Sequence, residues 1–513
     1  MKRFACLLLC AALAFPLFSG CTEGETPYVP TGDALVIGTE TTPSAAPDTE
    51  SAFSLAYYPD RSLNPYTSTD YTNRVLFSLL YQGLFTVDRN YEVTPVLCSG
   101  YSRSADMKSY TFRVEGATFS DGTAVTASDV AASLNAAKKS PYFSGRFQHV
   151  TAITPSDSGI IIKLDTPCEN LPILLDVPIV KAGEVSAARP LGTGPYVLDD
   201  TGAVSMLCRR QDWWCGGEVP VNTFFITLVP GESTPQIRDL FEYGQVSLVC
   251  ANTAAADYAD FRGDYELMEC ETGTFLYLVC NRLSSVFSDA ALRQALIRAI
   301  DRDALVQTHY RGFARSAVLP ASPQFPQYSG ALAAQYRYDP QILTDALAGR
   351  EQDGDEAPEV RLLVNTQDAQ RLRAARSIAE MLTACGLKVT LIQKAGTEFT
   401  EAMEEGDYDL YLAQTKLSAN MDLSAFFAED GGLSYGGLSD HSTYVLCLEA
   451  LANSGNYYGL YETIMENGWL CPLLFQSYAV YSARGAVSSL TPARDHLFFY
   501  PTGRSMADVF FKE

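Results

Sequence analysis

Residues 360–392 read VRLLVNTQDAQRLRAARSIAEMLTACGLKVTLI. Val360 to Val364 is an apolar run interrupted once, by Arg361, and is short enough for a strand. Ala369 to Cys385 carries Leu372, Ala375, Ile378, Ala379 and Leu382 at spacings of three and four, which places them on one helical face. Gly386 stops that helix, and Leu387 to Ile392 returns as a second strand. A strand, a crossing helix and a strand are the ingredients of a parallel sheet, so the chain is read as α/β.

The same grammar extends outward. Phe399 to Glu405 is expected as a helix ending at Gly406, with Tyr408 to Leu412 as a further strand. Upstream, Ser288-Asp289 caps a helix from Ala290 to Ile300, and Asp301-Arg302-Asp303 opens another. Asp121-Gly122 marks a turn. Thr126 reads as an N-cap, with Asp129 three residues on and Val130 and Leu134 on the apolar face. Tyr110 to Val114 alternates as a half-buried strand. Thr72 to Gly83 has helical spacing through Val75, Leu76, Leu79 and Leu80. Phe53 to Tyr58 is a strand closed by Pro59. No internal repeat is visible.

The chain has 513 residues, enough for two or three domains at roughly 150 residues each. Apolar residues make up 47% and aromatics 11%, which excludes disorder for most of the body. The formal charge of −23 argues against nucleic-acid binding, because phosphate backbones would be repelled. Four scattered histidines, His149, His309, His441 and His496, give little for a metal site.

The N-terminus is of another kind. Lys2 and Arg3 precede an uncharged run from Phe4 to Phe18, too short for a membrane span, and read as a secretory signal. Ser19-Gly20-Cys21 resembles the bacterial lipobox, so Cys21 is the expected lipidated residue. Residues 21–50 have the composition of a flexible tether. Cys6, Cys10 and Cys21 aside, ten cysteines remain, with no CxxC pair; most are read as buried thiols.

Several stretches, in order, resemble the family 5 solute-binding proteins, the dipeptide, oligopeptide and nickel receptors of ABC importers. They are Leu63-Asn64-Pro65 and Leu80-Tyr81-Gln82-Gly83-Leu84, then Lys108 to Val114 with Ala117 to Val130. Gly192-Thr193-Gly194-Pro195-Tyr196 and Asp212-Trp213-Trp214-Cys215-Gly216-Gly217 follow. Phe287 to Leu296, Ala299 to Val306 and Gly406-Asp407-Tyr408-Asp409 complete the series. The resemblance implies a two-lobe, type II periplasmic-binding-protein-like α/β fold with the ligand cleft between the lobes. Lobe I is expected at 51–275 with an extra subdomain near 75–180, lobe II at 276–482, and a segment at 483–513 returning to lobe I. It further implies a monomer, held outside the cytoplasm on the cell membrane by lipidated Cys21. That protein would pass peptides, oligopeptides above all, to the transmembrane subunits of an ABC permease, without cofactor, nucleic acid or catalysis. A nickel or metal-chelate ligand is the alternative.

An alternative of another class is a serine hydrolase. Gly432-Leu433-Ser434-Tyr435-Gly436 fits G-x-S-x-G, with Asp440-His441 and Asp495-His496 downstream. That chemistry needs serine on a sharp strand-to-helix turn, and neither flanking element is visible, so the segment reads as a Gly/Ser loop.

For ligand contacts, the resemblance points to the loop from Lys416 to Phe427. The position at which dipeptide receptors pair an Asp with the ligand amine falls on Ala419; Asp422 is the loop's only acid. The place of their carboxylate-binding Arg reads Asn365-Thr366-Gln367. The expected ligand-binding set is therefore Lys416, Asn420 and Asp422, with Asn365, Thr366 and Gln367. Tyr57 or Tyr58, whose side chains point opposite ways along the first strand, and Asn281, at the end of a strand crossing between lobes, complete it.

Overall fold

The computed structural model describes residues 53–216, 221–229, 234–255, 258–352, 357–487, 490–494 and 496–498. The signal, Cys21 and the tether lie outside the described residues.

An eleven-stranded mixed sheet organises the body. On one side lie the short strands Ser54–Tyr57, Tyr196–Asp199, Met206–Arg209, Thr223–Leu228 and Leu248–Ala251. On the other lie Glu359–Asn365, Lys388–Lys394 and Leu410–Lys416, with Glu359–Asn365 parallel to both neighbours. The strand–helix–strand reading of 360–392 therefore holds, with the helix at Ala369–Ala384. Two unusually long antiparallel strands, Tyr265–Cys280 and Leu470–Ala483, join the two sides. Strands in globular proteins usually run about five or six residues; these have 16 and 14. The C-terminal end of Leu470–Ala483 pairs with Leu248–Ala251, and the C-terminal half of Tyr265–Cys280 pairs with Leu410–Lys416.

The register between them slips between Glu271 and Thr274, where Gly273 adopts φ +74. A bulge of this kind bends a strand and re-aims its side chains. It falls where the strand passes from one set of neighbours to the other.

A separate four-stranded antiparallel sheet, Gly100–Arg103, Ser109–Arg113, Gly159–Leu164 and Val150–Ser156, carries the helix Ala127–Ala137. Thr126 caps that helix in a capping box with Asp129, as its sequence implies. Asp289 and Asp301 cap theirs as well.

The stretch 72–83 departs from expectation. It forms two one-turn helices, Tyr71–Arg74 and Phe77–Leu80, and Tyr81 is already extended. The cause is tertiary: the Leu80 carbonyl accepts the Gly194 N–H at 2.9 Å, and Asn73 is buried, bonding both backbone groups of Tyr58. All ten body cysteines are free thiols; seven are buried and three half-buried.

Candidate functional site

The bulge builds a groove. Tyr91 sits in the turn between Phe85–Val87 and Val93–Pro95 with φ +65, a conformation uncommon for a bulky residue. Asp88 holds that turn by accepting the Asn90 and Glu92 N–H groups. The Tyr91 hydroxyl donates to Glu271 at 2.9 Å, and the Ser322 hydroxyl donates to the other carboxylate oxygen at 2.9 Å. Glu269, two residues earlier, accepts from Arg315 and from the Ser477 hydroxyl, each at 2.7 Å. Burial pushes the Glu271 carboxyl up; the Arg494 guanidinium and the two hydroxyls pull it part of the way back.

Arg494 donates to the Leu417 carbonyl at 2.9 Å and lies 5.8 Å from the Tyr91 ring. A side chain on Gly273 would bring a Cβ within 2.8 Å of that guanidinium. Glycine is needed at the bulge both for its φ and for this approach. Tyr91, Glu269, Glu271, Arg315, Gln324 and Arg494 border a cavity of about 260 Å³.

Tyr91 also borders a second cavity of about 90 Å³, with Phe325, Asn420 and Tyr457. The three rings meet edge to face, Tyr91 to Phe325 at 5.4 Å and Phe325 to Tyr457 at 5.3 Å. Asn420 Oδ1 is buried with no hydrogen-bond partner among the described residues. Beyond Asn420, Asp422 meets His149 of the four-stranded subdomain at 3.2 Å. His149 also reaches Asp165 and the Ser424 hydroxyl, each at 3.1 Å. Burial pushes the imidazole down, but Asp422 and Asp165 outweigh it, and the net direction is up. The Lys416 ammonium lies 3.7 Å from the Tyr142 ring.

Lys416, Asn420 and Asp422 thus stand together against the subdomain. The other expected residues are elsewhere. Tyr57 and Tyr58 are both buried, in separate core clusters, as opposite-pointing neighbours should be. Neither borders the cavities described above. Asn281 is buried and donates to the Gly406 and Tyr408 carbonyls at 3.0 and 2.7 Å, tying strand ends together. Asn365 accepts the Gln367 N–H and Thr366 donates to the Lys394 carbonyl, so Asn365, Thr366 and Gln367 shape a turn.

Sequence reasoning missed Tyr91, Glu269, Glu271, Arg315, Ser322 and Arg494. One signal was present: Gly273 sits inside a long strand, a pattern that marks a bulge.

Among the described residues Ser434 is not hydrogen-bonded to a histidine, and Asp495 lies outside the described residues. Ser434 donates to the Gly431 carbonyl at 2.8 Å within a turn, and Asp440 caps the helix His441–Ala452. No group of three or more His, Cys, Asp or Glu that could hold a metal occurs among the described residues.

Comparison with known proteins agrees with this architecture. The family model for bacterial extracellular solute-binding proteins, family 5, middle region, matches residues 92–431. The glutathione-binding protein GsiB of Escherichia coli O1:K1 is 28% identical over 295 residues, 52% of this chain and 55% of that protein. The chain spans about half the length of the curated relatives it matches. Among solved structures, the oligopeptide-binding protein AppA of Bacillus subtilis, in complex with a nonapeptide, aligns over 90% of this chain and 99% of its own, with a TM-score of 0.60 at 18% identity. NikA of Brucella suis, in complex with Fe(III)-EDTA, aligns over 90% and 100%, with a TM-score of 0.67 at 17% identity. The fold is that of the type II periplasmic binding proteins, and the chain belongs to the family 5 bacterial extracellular solute-binding proteins.

Proposed function

We propose that the chain is a lipid-anchored, extracytoplasmic receptor that captures a peptide-like solute in the groove along the Glu271–Thr274 bulge and hands it to an ABC permease. The carrying observation is the convergence, at the crossing strands, of charges of both signs beside open volume: buried Glu271 and Arg494 with half-buried Arg315 and Glu269. Ligand sites are typically concave, with a few convergent polar groups. The resemblance to a glutathione-binding relative supports a short peptide-like solute. The proposed lobes are 51–275 and 276–482, with 483–513 returning to the first, and they swing about the bulge as ligand shifts an open–closed population. Catalysis has no part in this reading, and the chain acts as a monomer.

Mass spectrometry of solute released from the natively purified protein tests the reading. A stoichiometric peptide-like compound is expected; a bound metal chelate without peptide would replace it. The anchor has its own test. Cys21→Ser should move the protein from membranes to the soluble fraction, and continued membrane association of the cleaved variant would contradict lipidation.

A further inference from the structure

The loop from Lys416 to Asp422 is held at both ends. Near its start the Leu417 carbonyl accepts from Arg494, which borders the groove, at 2.9 Å. At its end Asp422 meets His149 of the subdomain at 3.2 Å. A second tie lies close by. The Glu169 N–H donates to the Leu451 carbonyl, and the Glu169 carboxylate accepts the Ser454 N–H, each at 2.8 Å. His149 and Glu169 belong to the stretch proposed as lobe I, and Asp422, Leu451 and Ser454 to that proposed as lobe II. Both ties form only with the two stretches together.

His149 has a carboxylate at each ring nitrogen, Asp165 at Nδ1, 3.1 Å away, and Asp422 at Nε2. A neutral imidazole has one donor nitrogen and one acceptor, so only the imidazolium can donate to both carboxylates. In the neutral ring the Ser424 hydroxyl, 3.1 Å from Nε2, can donate to the freed lone pair, and Asp422 then loses its partner. The two carboxylates are not equivalent. Asp165 shares the subdomain with His149 and its side chain is 55% exposed, whereas that of Asp422 is 7% exposed. Asp165 stays beside the ring whichever way the lobes swing. The Asp422 pair is the shielded one, and it alone of the two depends on closure. Arg146 and Cys168 border the same small cavity; Arg146 pairs with Asp176, and burial pushes the Cys168 thiol up to about 12. Burial pushes the Cys447 thiol up as well, on the helix His441–Ala452, and Lys138 donates to the Val150 carbonyl. Near neutral pH, His149 is therefore the group in this cluster whose charge changes.

We propose, resting on the two-lobe reading of the chain, that His149 is a proton-controlled latch on the closed form. The imidazolium clamps the subdomain to the Asp422 loop, and loss of its proton loosens that clamp. Closing therefore takes up a proton, and the closed form gains most in mildly acidic solution and least in alkaline solution. Because Leu417 and Asp422 share one short loop, the latch acts on the segment that also reaches the groove.

Hydrogen exchange read by mass spectrometry on the natively purified full chain tests this. The segments 166–171 and 452–456 contain the Glu169 and Ser454 N–H groups of the second tie, and their protection follows the closed population. After correction for intrinsic exchange, that protection should rise about threefold to tenfold between about pH 8.5 and about pH 5.5. His149→Gln and Asp422→Asn should each abolish the rise, and the strand Glu359–Asn365, away from the interface, should not show it. A flat wild-type profile, a rise toward alkaline pH, or a rise that survives in both variants would overturn the latch and leave the receptor reading standing. So would an equal rise in Glu359–Asn365, which would mark a change in global stability. Dialysing away the co-purified solute should lower protection of the two segments; unchanged protection would strike the two-lobe reading and the latch with it. If His149→Gln does not fold, Asp422→Asn carries the same test.

Discussion

The Gly192–Pro195 turn and the Glu271–Thr274 bulge both bury polar groups beside glycine, to opposite ends. At the turn every space is filled. A Cβ on Gly192 would lie 2.2 Å from the Leu80 carbonyl oxygen, and one on Gly194 would lie 2.3 Å from that of Leu79. The Thr193 carbonyl accepts both the Trp213 and Trp214 indole N–H groups, at 3.1 and 3.2 Å. Arg210 closes the turn from the other side through Thr118 and Phe119. At the bulge, buried charges border a cavity of about 260 Å³. The Gly192–Pro195 turn is a packing device, and the long strand Tyr265–Cys280 carries the candidate site.

Substitution can break this contrast. Gly192→Ala drives a methyl into backbone and should destabilise the protein by about 1–3 kcal/mol or more, read as a fall in the denaturant midpoint. Ligand affinity of the molecules that remain folded should not change. A stable Gly192→Ala protein with weakened binding would reverse the roles of the two regions.

The next effect is smaller and again confined to scaffold. Thr126→Ala removes the hydroxyl that receives the Asp129 N–H. It should lower stability by about 1 kcal/mol and leave solute affinity alone. Asp129 also accepts the Ala182 N–H at 2.8 Å, so Asp129→Ala should destabilise more than Thr126→Ala. Equal losses would mean that the Ala182 contact contributes nothing.

These caps were legible because their cause is local. Thr126 and Asp129 are three residues apart, and the parallel unit at 360–392 is written in one continuous periodicity. The broken helix near 72–83 was not legible. Its end is set by the Gly194 N–H, more than a hundred residues away, taking the Leu80 carbonyl. The groove was illegible for the same reason. Tyr91, Glu271, Arg315, Ser322 and Arg494 meet only because the long strands cross, and nothing in the neighbourhood of Tyr91 announces Glu271. The loop Lys416 to Asp422 was singled out through the resemblance; its contact with His149, far away in sequence, was not.

The gentlest test concerns that loop. His149 ties the subdomain to Asp422, and its proton is held more tightly in the folded state than in the unfolded chain. The sign follows from linkage. This contribution to stability is complete below the unfolded value of about 6.5 and fades as pH rises through the higher folded value. Thermal melting of wild type and His149→Gln should therefore differ most in mildly acidic solution and converge in alkaline solution. A difference that grew with pH would show that the neutral imidazole is the stabilising form.

Calorimetry with the solute that co-purifies with the wild-type chain, compared across wild type, Glu271→Gln and Asp422→Asn, addresses the bulge most directly. A charge-assisted contact in a closed groove is worth about 1.5–3 kcal/mol, or roughly a tenfold to hundredfold change in affinity. Glu271→Gln should show that loss with its fold intact, and Asp422→Asn, which alters a contact between two parts of the protein, should show less. Unchanged affinity in Glu271→Gln beside a large loss in Asp422→Asn would move the solute from the bulge to the loop.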